Sequence, residues 1–216
     1  LDDYCASRAE LTTDEWLNLL TRSIGFEPPH FSRRVKLLML MRLVPMVQRN
    51  FNLIELGPRG TGKSFVYRDL SPYAILISGG KTTVANLFYN MSTRRVGLVG
   101  MWDVVAFDEV AGIRFSDKTG IQILKDYMES GSFSRGREEL IAEASMVFAG
   151  NINQPVEVLV RTGTLFQPMP EDMQDMALID RLHFYLPGWE MPKMHNELFT
   201  DPYGFVIAYL AKALRE

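Results

Sequence analysis

Apolar positions fall first at helical spacing and then in short runs. Trp16, Leu17, Leu19 and Leu20 form one face behind Thr12-Thr13-Asp14-Glu15, a hydroxyl followed three residues later by a carboxylate, which predicts a capped helix running to about Ser23. After the Pro28-Pro29 break, Phe31 to Arg49 reads as a second, strongly apolar helix, with a kink at Pro45. The period then changes. Phe51 to Leu56 reads as a strand entering a glycine-rich turn, and further apolar runs of strand length occur at 74–77, 96–99, 104–107, 146–149 and 182–186. Helical segments are expected between them near 83–90, 118–130 and 172–179, with a last helix over 202–214. Strands alternating with helices imply a parallel sheet covered on both faces, so the expected fold is α/β, a three-layer sandwich.

Composition leaves that picture intact and narrows the setting. With 47% hydrophobic and 23% charged residues, the chain falls among ordinary globular domains. A formal charge of −3 offers no global basic field to a nucleic acid, so any such contact must be a local patch. The longest apolar stretch, around 37–47, is broken by Arg42 and Pro45 and falls short of the ~18 residues that a membrane span needs, so no membrane partner is expected. The single cysteine, Cys5, cannot close an internal disulfide, and His30, His183 and His195 lack metal-ligand spacing. A reducing cytoplasm is the expected location. The chain starts without methionine and stops inside a helical pattern, so it reads as a piece of something longer.

The glycine-rich turn carries the strongest chemistry. Gly57-Pro58-Arg59-Gly60-Thr61-Gly62-Lys63-Ser64 fits G-x-x-x-x-G-K-[ST] between a predicted strand and a predicted helix. Glycines there let successive N–H groups point at phosphate oxygens, Lys63 should reach the β- and γ-phosphates of ATP, and Ser64 should ligate Mg²⁺. Trp102 to Glu109 is a buried-strand pattern ending in two carboxylates, the form of a Walker B element, in which Asp108 would hold Mg²⁺ and Glu109 would polarise the attacking water. Alone, an Asp-Glu pair after a strand is commonly a solvated helix start. Beside the phosphate loop it gains meaning, because ligands of an open parallel sheet gather at the carboxyl ends of its strands. A third apolar strand ends at Gly150-Asn151, where an amide would sense the γ-phosphate or the lytic water, although asparagine there is also ordinary turn chemistry. Arg181, directly before the last predicted strand, reads either as a salt-bridged surface residue or as a finger reaching a neighbouring subunit's γ-phosphate.

Walker A, a Walker B ending in Asp-Glu, a strand-end asparagine and an Asp-Arg before a final strand resemble, in order and spacing, the core of an AAA+ P-loop ATPase. The resemblance implies a mostly parallel five-stranded sheet with N-terminal helices, and the roles of magnesium site for Asp108, water activator for Glu109, sensor 1 for Asn151 and arginine finger for Arg181. Leu178-Ile179-Asp180-Arg181-Leu182 is similar to the corresponding segments of Lon proteases and MCM helicases. On this reading residues 1–50 form an N-terminal helical segment, 51–190 the ATPase core, and 191–216 a helical segment leading towards a lid. Ile24-Gly25-Phe26 lies where AAA+ proteins hold the adenine.

The wording of three segments, 52–64, 77–83 and 127–136, resembles more specifically the BrxL family, Lon-like AAA+ proteins of BREX bacteriophage-defence systems. That resemblance covers nearly the whole chain. It implies a hexameric ring acting on DNA, with other phage-defence proteins as further partners. Residues 132–140 read as a β-hairpin similar to the pre-sensor-1 hairpin of MCM-type motors, with Arg135 and Arg137 at its tip for phosphate contact; a solvated basic turn is the plainer reading. Lys81, in Gly79-Gly80-Lys81-Thr82-Thr83, is a second candidate for nucleic acid, as part of a pore loop, an anion nest or merely a helix start. Two alternatives stay open: the unfoldase module of a Lon-type ATP-dependent protease, and a slowly hydrolysing nucleotide-dependent DNA clamp.

Overall fold

The computed structural model describes residues 2–78, 81–115, 118–135, 138–206, 209, 210 and 212. Strands β1 (Leu53–Gly57), β2 (Ala74–Ser78), β3 (Val104–Asp108), β4 (Ser145–Asn151) and β5 (Phe184–Pro187) form one sheet in the order β5-β1-β4-β3-β2, every neighbouring pair parallel. Helices are α1 (Asp2–Ala9), α2 (Thr13–Ser23), α3 (Arg33–Met41), α4 (Val44–Val47), α5 (Lys63–Asp69), α6 (Val84–Leu87), α7 (Lys118–Ser130), α8 (Val156–Thr162) and α9 (Met176–Ile179). The expected parallel α/β sheet with both faces covered is the fold of the chain.

Pleating divides the apolar runs between two cores. Leu53, Val104, Ala106 and Val147 face Leu38 and Met39 of α3 and Val66 and Tyr67 of α5, whereas Ile54, Leu56, Val105, Phe107 and Phe148 face Leu124, Tyr127 and Met128 of α7. The near-continuous apolar strands follow from this double burial. The strand order also places β4 between β1 and β3, so that Gly57 pairs with Asn151 and Phe107 with Phe148. Three strand ends thereby converge.

Local signals acted largely as expected. Thr12 caps α2, its Oγ1 accepting from the Glu15 N–H at 3.3 Å while the Glu15 carboxylate accepts from the Thr12 N–H at 2.8 Å. The predicted hairpin is present, with Ser132–Arg135 antiparallel to Glu138–Ile141. The helix expected over 31–49 is two helices rather than one kinked at Pro45. Pro45 would clash with the carbonyl four residues back, so α3 stops at Met41 and the proline sits in the first turn of α4.

The strand expected over 96–99 is not in the sheet. Among the described residues Arg95–Val96 pairs only with Tyr89–Asn90, and Leu98–Gly100 is a 3₁₀ turn. Gly97 explains the departure: a Cβ there would collide with the backbone of Asn86 and Leu87, and its N–H donates to the Phe88 carbonyl at 2.6 Å. The segment expected as helix over 83–90 is confined to α6, and that over 172–179 is a 3₁₀ turn, Glu171–Met173, followed by α9. Residues 202–206 are not helical, and much of the rest of the expected last helix lies outside the described residues. Among the described residues no helix is long and apolar enough to cross a membrane.

Candidate functional site

The ends of β1, β3 and β4 meet at one cleft of about 400 Å³, lined by Arg59, Gly60, Thr61, Gly62, Lys63, Ser64 and Phe65 together with Asp108, Glu109 and Asn151. These residues span almost a hundred positions of the sequence, and the parallel sheet brings them together, as the gathering of ligands at its strand ends leads one to expect. Gly60 and Gly62 adopt φ of +80° and +76°, the left-handed region that side chains disfavour. Gly57 is required for a different reason, because a Cβ on it would overlap the backbone of Gly188.

The loop's carbonyls are held on the protein side. Gly57 O accepts from the Ile152 N–H at 3.2 Å, Gly60 O from the Met194 N–H at 2.8 Å, and Thr61 O from Arg42 Nη2 at 3.0 Å. C=O and N–H of a trans peptide point in opposite directions, so the Gly60 and Thr61 contacts turn the Thr61 and Gly62 N–H groups towards the cleft, while the Gly57 carbonyl precedes Pro58, which has no N–H. Gly62 offers α5 no side-chain cap, which leaves the first N–H groups of that helix for an anion.

Lys63 is buried, with Nζ donating to Pro58 O at 2.6 Å and Gly57 O at 3.2 Å. Burial lowers its pKa below the ordinary lysine value; Glu55 and Asp108 oppose that shift by their charge, and Arg42 adds to it. Ser64 Oγ donates to Asp108 Oδ2 at 2.7 Å, and the other carboxylate oxygen accepts from the Glu109 N–H at 3.0 Å. Asp108 is thus fixed through both oxygens. Glu109 has φ of +53° and an exposed side chain, at the turn that ends β3. A bulky residue in the left-handed region is held there by its surroundings, and Asp108 supplies part of that hold.

The Ser64 hydroxyl and the Asp108 carboxylate are adjacent hard oxygen donors, a set suited to Mg²⁺. Among the described residues no cluster of three His, Cys, Asp or Glu side chains forms another candidate metal site.

One pair at the site escaped sequence reasoning. Arg42 grips Glu55 through two bonds, Nε to Oε2 at 3.0 Å and Nη2 to Oε1 at 2.5 Å, and both residues are essentially inaccessible to solvent. Arg42 figured in the sequence only as an interruption of an apolar helix. The one available signal was a pair of charges at positions where helix and strand both turn inwards.

Other expected residues lie elsewhere. Arg181 precedes β5, away from the cleft lining, and its guanidinium is tied to Glu129 at the end of α7 and to the Ala177 carbonyl. Ile24 and Phe26 are buried in the core, where Phe26 packs edge-on against Phe31, and neither is among the residues lining the phosphate-loop cleft. His183 Nδ1 accepts from the Asn52 N–H at 3.0 Å, a structural role. The backbone of Lys81 pairs with Arg114, but the readings placed on the side chains of Lys81 and Arg135, and on Arg137, lie outside the described residues.

Comparison with known proteins gives a consistent result. The family model for the ATPase domain of Lon-like protease BrxL-like proteins matches residues 1–216. Two curated relatives, each named Lon-like protease BrxL, are 62% identical over 217 residues in Bacillus cereus strain H3081.97 and 56% identical over 216 residues in Escherichia coli O9:H4 strain HS. Both alignments cover the whole chain, which spans 32% and 31% of the relatives' length. With the cleft residues set in a phosphate loop and at two neighbouring strand ends, the chain belongs to the BrxL-like ATPase-domain family of Lon-like proteins.

Proposed function

We propose that this domain binds ATP with Mg²⁺ and hydrolyses it, as the motor of a ring-forming, DNA-acting protein in BREX phage defence. The observation that carries the ATPase reading is the Ser64–Asp108 contact inside a cleft that also holds Lys63, Glu109 and Asn151. Loop N–H groups hold the phosphates, and Lys63 leaves its carbonyl partners to contact the terminal ones. Ser64 and Asp108 would hold the metal, which when bound would supply positive charge against that building on the transferred phosphoryl group. Glu109 orients water and accepts its proton, and the Asn151 amide hydrogen-bonds the water or the γ-phosphate.

The family membership supports the ATPase reading, and the resemblance of the hairpin to MCM-type motors supports DNA as the polymer. A second reading has its own support, since both relatives carry the name of a Lon-like protease; under it the same motor feeds polypeptide. The test is ATP turnover by the longer protein with and without duplex DNA, at low and moderate salt. Stimulation that weakens with salt and vanishes in an Arg135/Arg137 double alanine variant is the expected result. Turnover that ignores DNA and rises with an unfolded protein selects the protease-associated reading.

In this proposal Arg181 acts in trans, exchanging Glu129 for the neighbour's γ-phosphate. Arg181→Ala is expected to keep nucleotide affinity while removing the dependence of specific activity on protein concentration, with turnover reduced ~10³-fold or more. A wild-type specific activity that is flat across a hundredfold dilution, through the range where assembly is lost by light scattering, would sink the finger assignment.

A further inference from the structure

We propose that Arg42 is a positioning residue of the phosphate loop, aiming the Gly62 N–H into the cleft by holding the Thr61 carbonyl from behind. The inference rests on the ATP-binding reading of that cleft. Nη2 of Arg42 reaches Thr61 O at 3.0 Å while the same side chain is gripped by Glu55 at 2.5 and 3.0 Å. A planar guanidinium held at two points has little freedom to follow the loop, so it fixes the orientation of the peptide between Thr61 and Gly62. That peptide is trans, and its N–H therefore points away from Arg42.

Two further observations place the guanidinium in service of the loop rather than of the core alone. Its Nη1 is buried with no hydrogen-bond partner among the described residues, and it lies behind Gly62, where an added Cβ would come within 3.8 Å. An orphaned donor there directs positive potential at the backbone that faces the anion. Glu55 sits on a strand whose neighbouring positions are entirely apolar, so the ion pair interrupts packing that a hydrophobic pair would complete. A site built only for stability has no need of such a pair beneath the one loop that must present N–H groups.

Arg42→Lys in the longer protein tests the proposal, because lysine keeps the charge but cannot span Glu55 and Thr61 with a rigid fork. Tyr67→Phe is the control. It removes the buried bond from Tyr67 Oη to the Arg42 carbonyl, at 3.1 Å, without altering the guanidinium. Both variants are expected to lower Tm, but only Arg42→Lys is expected to weaken binding of a fluorescent ATP analogue, by tenfold or more. Amide hydrogen exchange over 58–64, measured without nucleotide, is expected to rise in Arg42→Lys alone.

The double variant R42M/E55L, in which the charges are replaced by apolar residues, is expected to fold and still bind nucleotide at least tenfold more weakly. Affinity that tracks Tm equally in Arg42→Lys and Tyr67→Phe, or wild-type affinity in R42M/E55L, overturns the proposal. So does failure of both Arg42 variants to fold, which would make the pair a folding element. A wild-type protein that binds no nucleotide would instead overturn the ATPase reading, leaving the exchange result to judge Arg42.

Discussion

Glu109→Gln is expected to leave ATP affinity within about twofold of wild type and to reduce turnover by ~10²–10⁴-fold, the usual worth of a positioned general base. The geometry separates the two effects. On the proposed reading binding depends on loop N–H groups, Lys63, Ser64 and Asp108, and the Glu109 side chain is not among the groups that hold Asp108; only its backbone N–H is. Glutamine preserves that N–H and nearly the same shape but has no carboxylate to receive a proton. Equilibrium binding followed by single-turnover hydrolysis checks the split. A hydrolysis rate within about threefold of wild type would remove Glu109 from the role of base.

Lys63→Ala is expected to abolish nucleotide binding in practice. A charge-assisted hydrogen bond is worth ~1.5–3 kcal/mol, so the loss of even one such contact to phosphate lowers affinity by at least about tenfold. Removal also takes the ammonium from the Pro58 and Gly57 carbonyls, which keep their bonds from Thr61 Oγ1 at 3.4 Å and from the Ile152 N–H at 3.2 Å, and is expected to loosen the loop. Titration with a fluorescent ATP analogue measures the effect, and affinity within about threefold of wild type would contradict it.

The same residue sets a pH dependence. Burial lowers the pKa of Lys63, whereas bound phosphates favour its charged form and raise it. Binding therefore takes up protons on the alkaline side, and affinity is expected to fall with rising pH from below the ordinary lysine range. In Lys63→Ala that limb of the profile should vanish.

The legible parts of this protein were those governed by local rules. The phosphate loop was readable because its glycines and its lysine must stand at fixed spacing, and Asp108-Glu109 because a fully buried strand announces where it ends. The Thr12 cap and the extent of α7 were readable for the same reason. Residues 96–99 show the limit: Val96, Leu98 and Val99 have the composition of a strand, but Gly97 is pressed against the backbone beside α6, and that contact exists only in three dimensions. Arg42 and Glu55 show it again. Each looks like a fault in an apolar pattern, and the sequence gives no distance between them; the fold makes one feature of two faults. Arg181 lies between these cases, since its placement before β5 was legible and its bond to Glu129 was not.

The Met194 N–H that holds the Gly60 carbonyl has a practical consequence for anyone trimming this domain. A fragment cut at the end of β5 would retain every residue of the phosphate-loop motif and every strand of the sheet. It would nevertheless lose the Gly188 backbone that abuts Gly57 and the amide that turns the loop at Gly60. The minimal nucleotide-binding unit of this chain therefore extends past Met194, seven residues beyond the last strand.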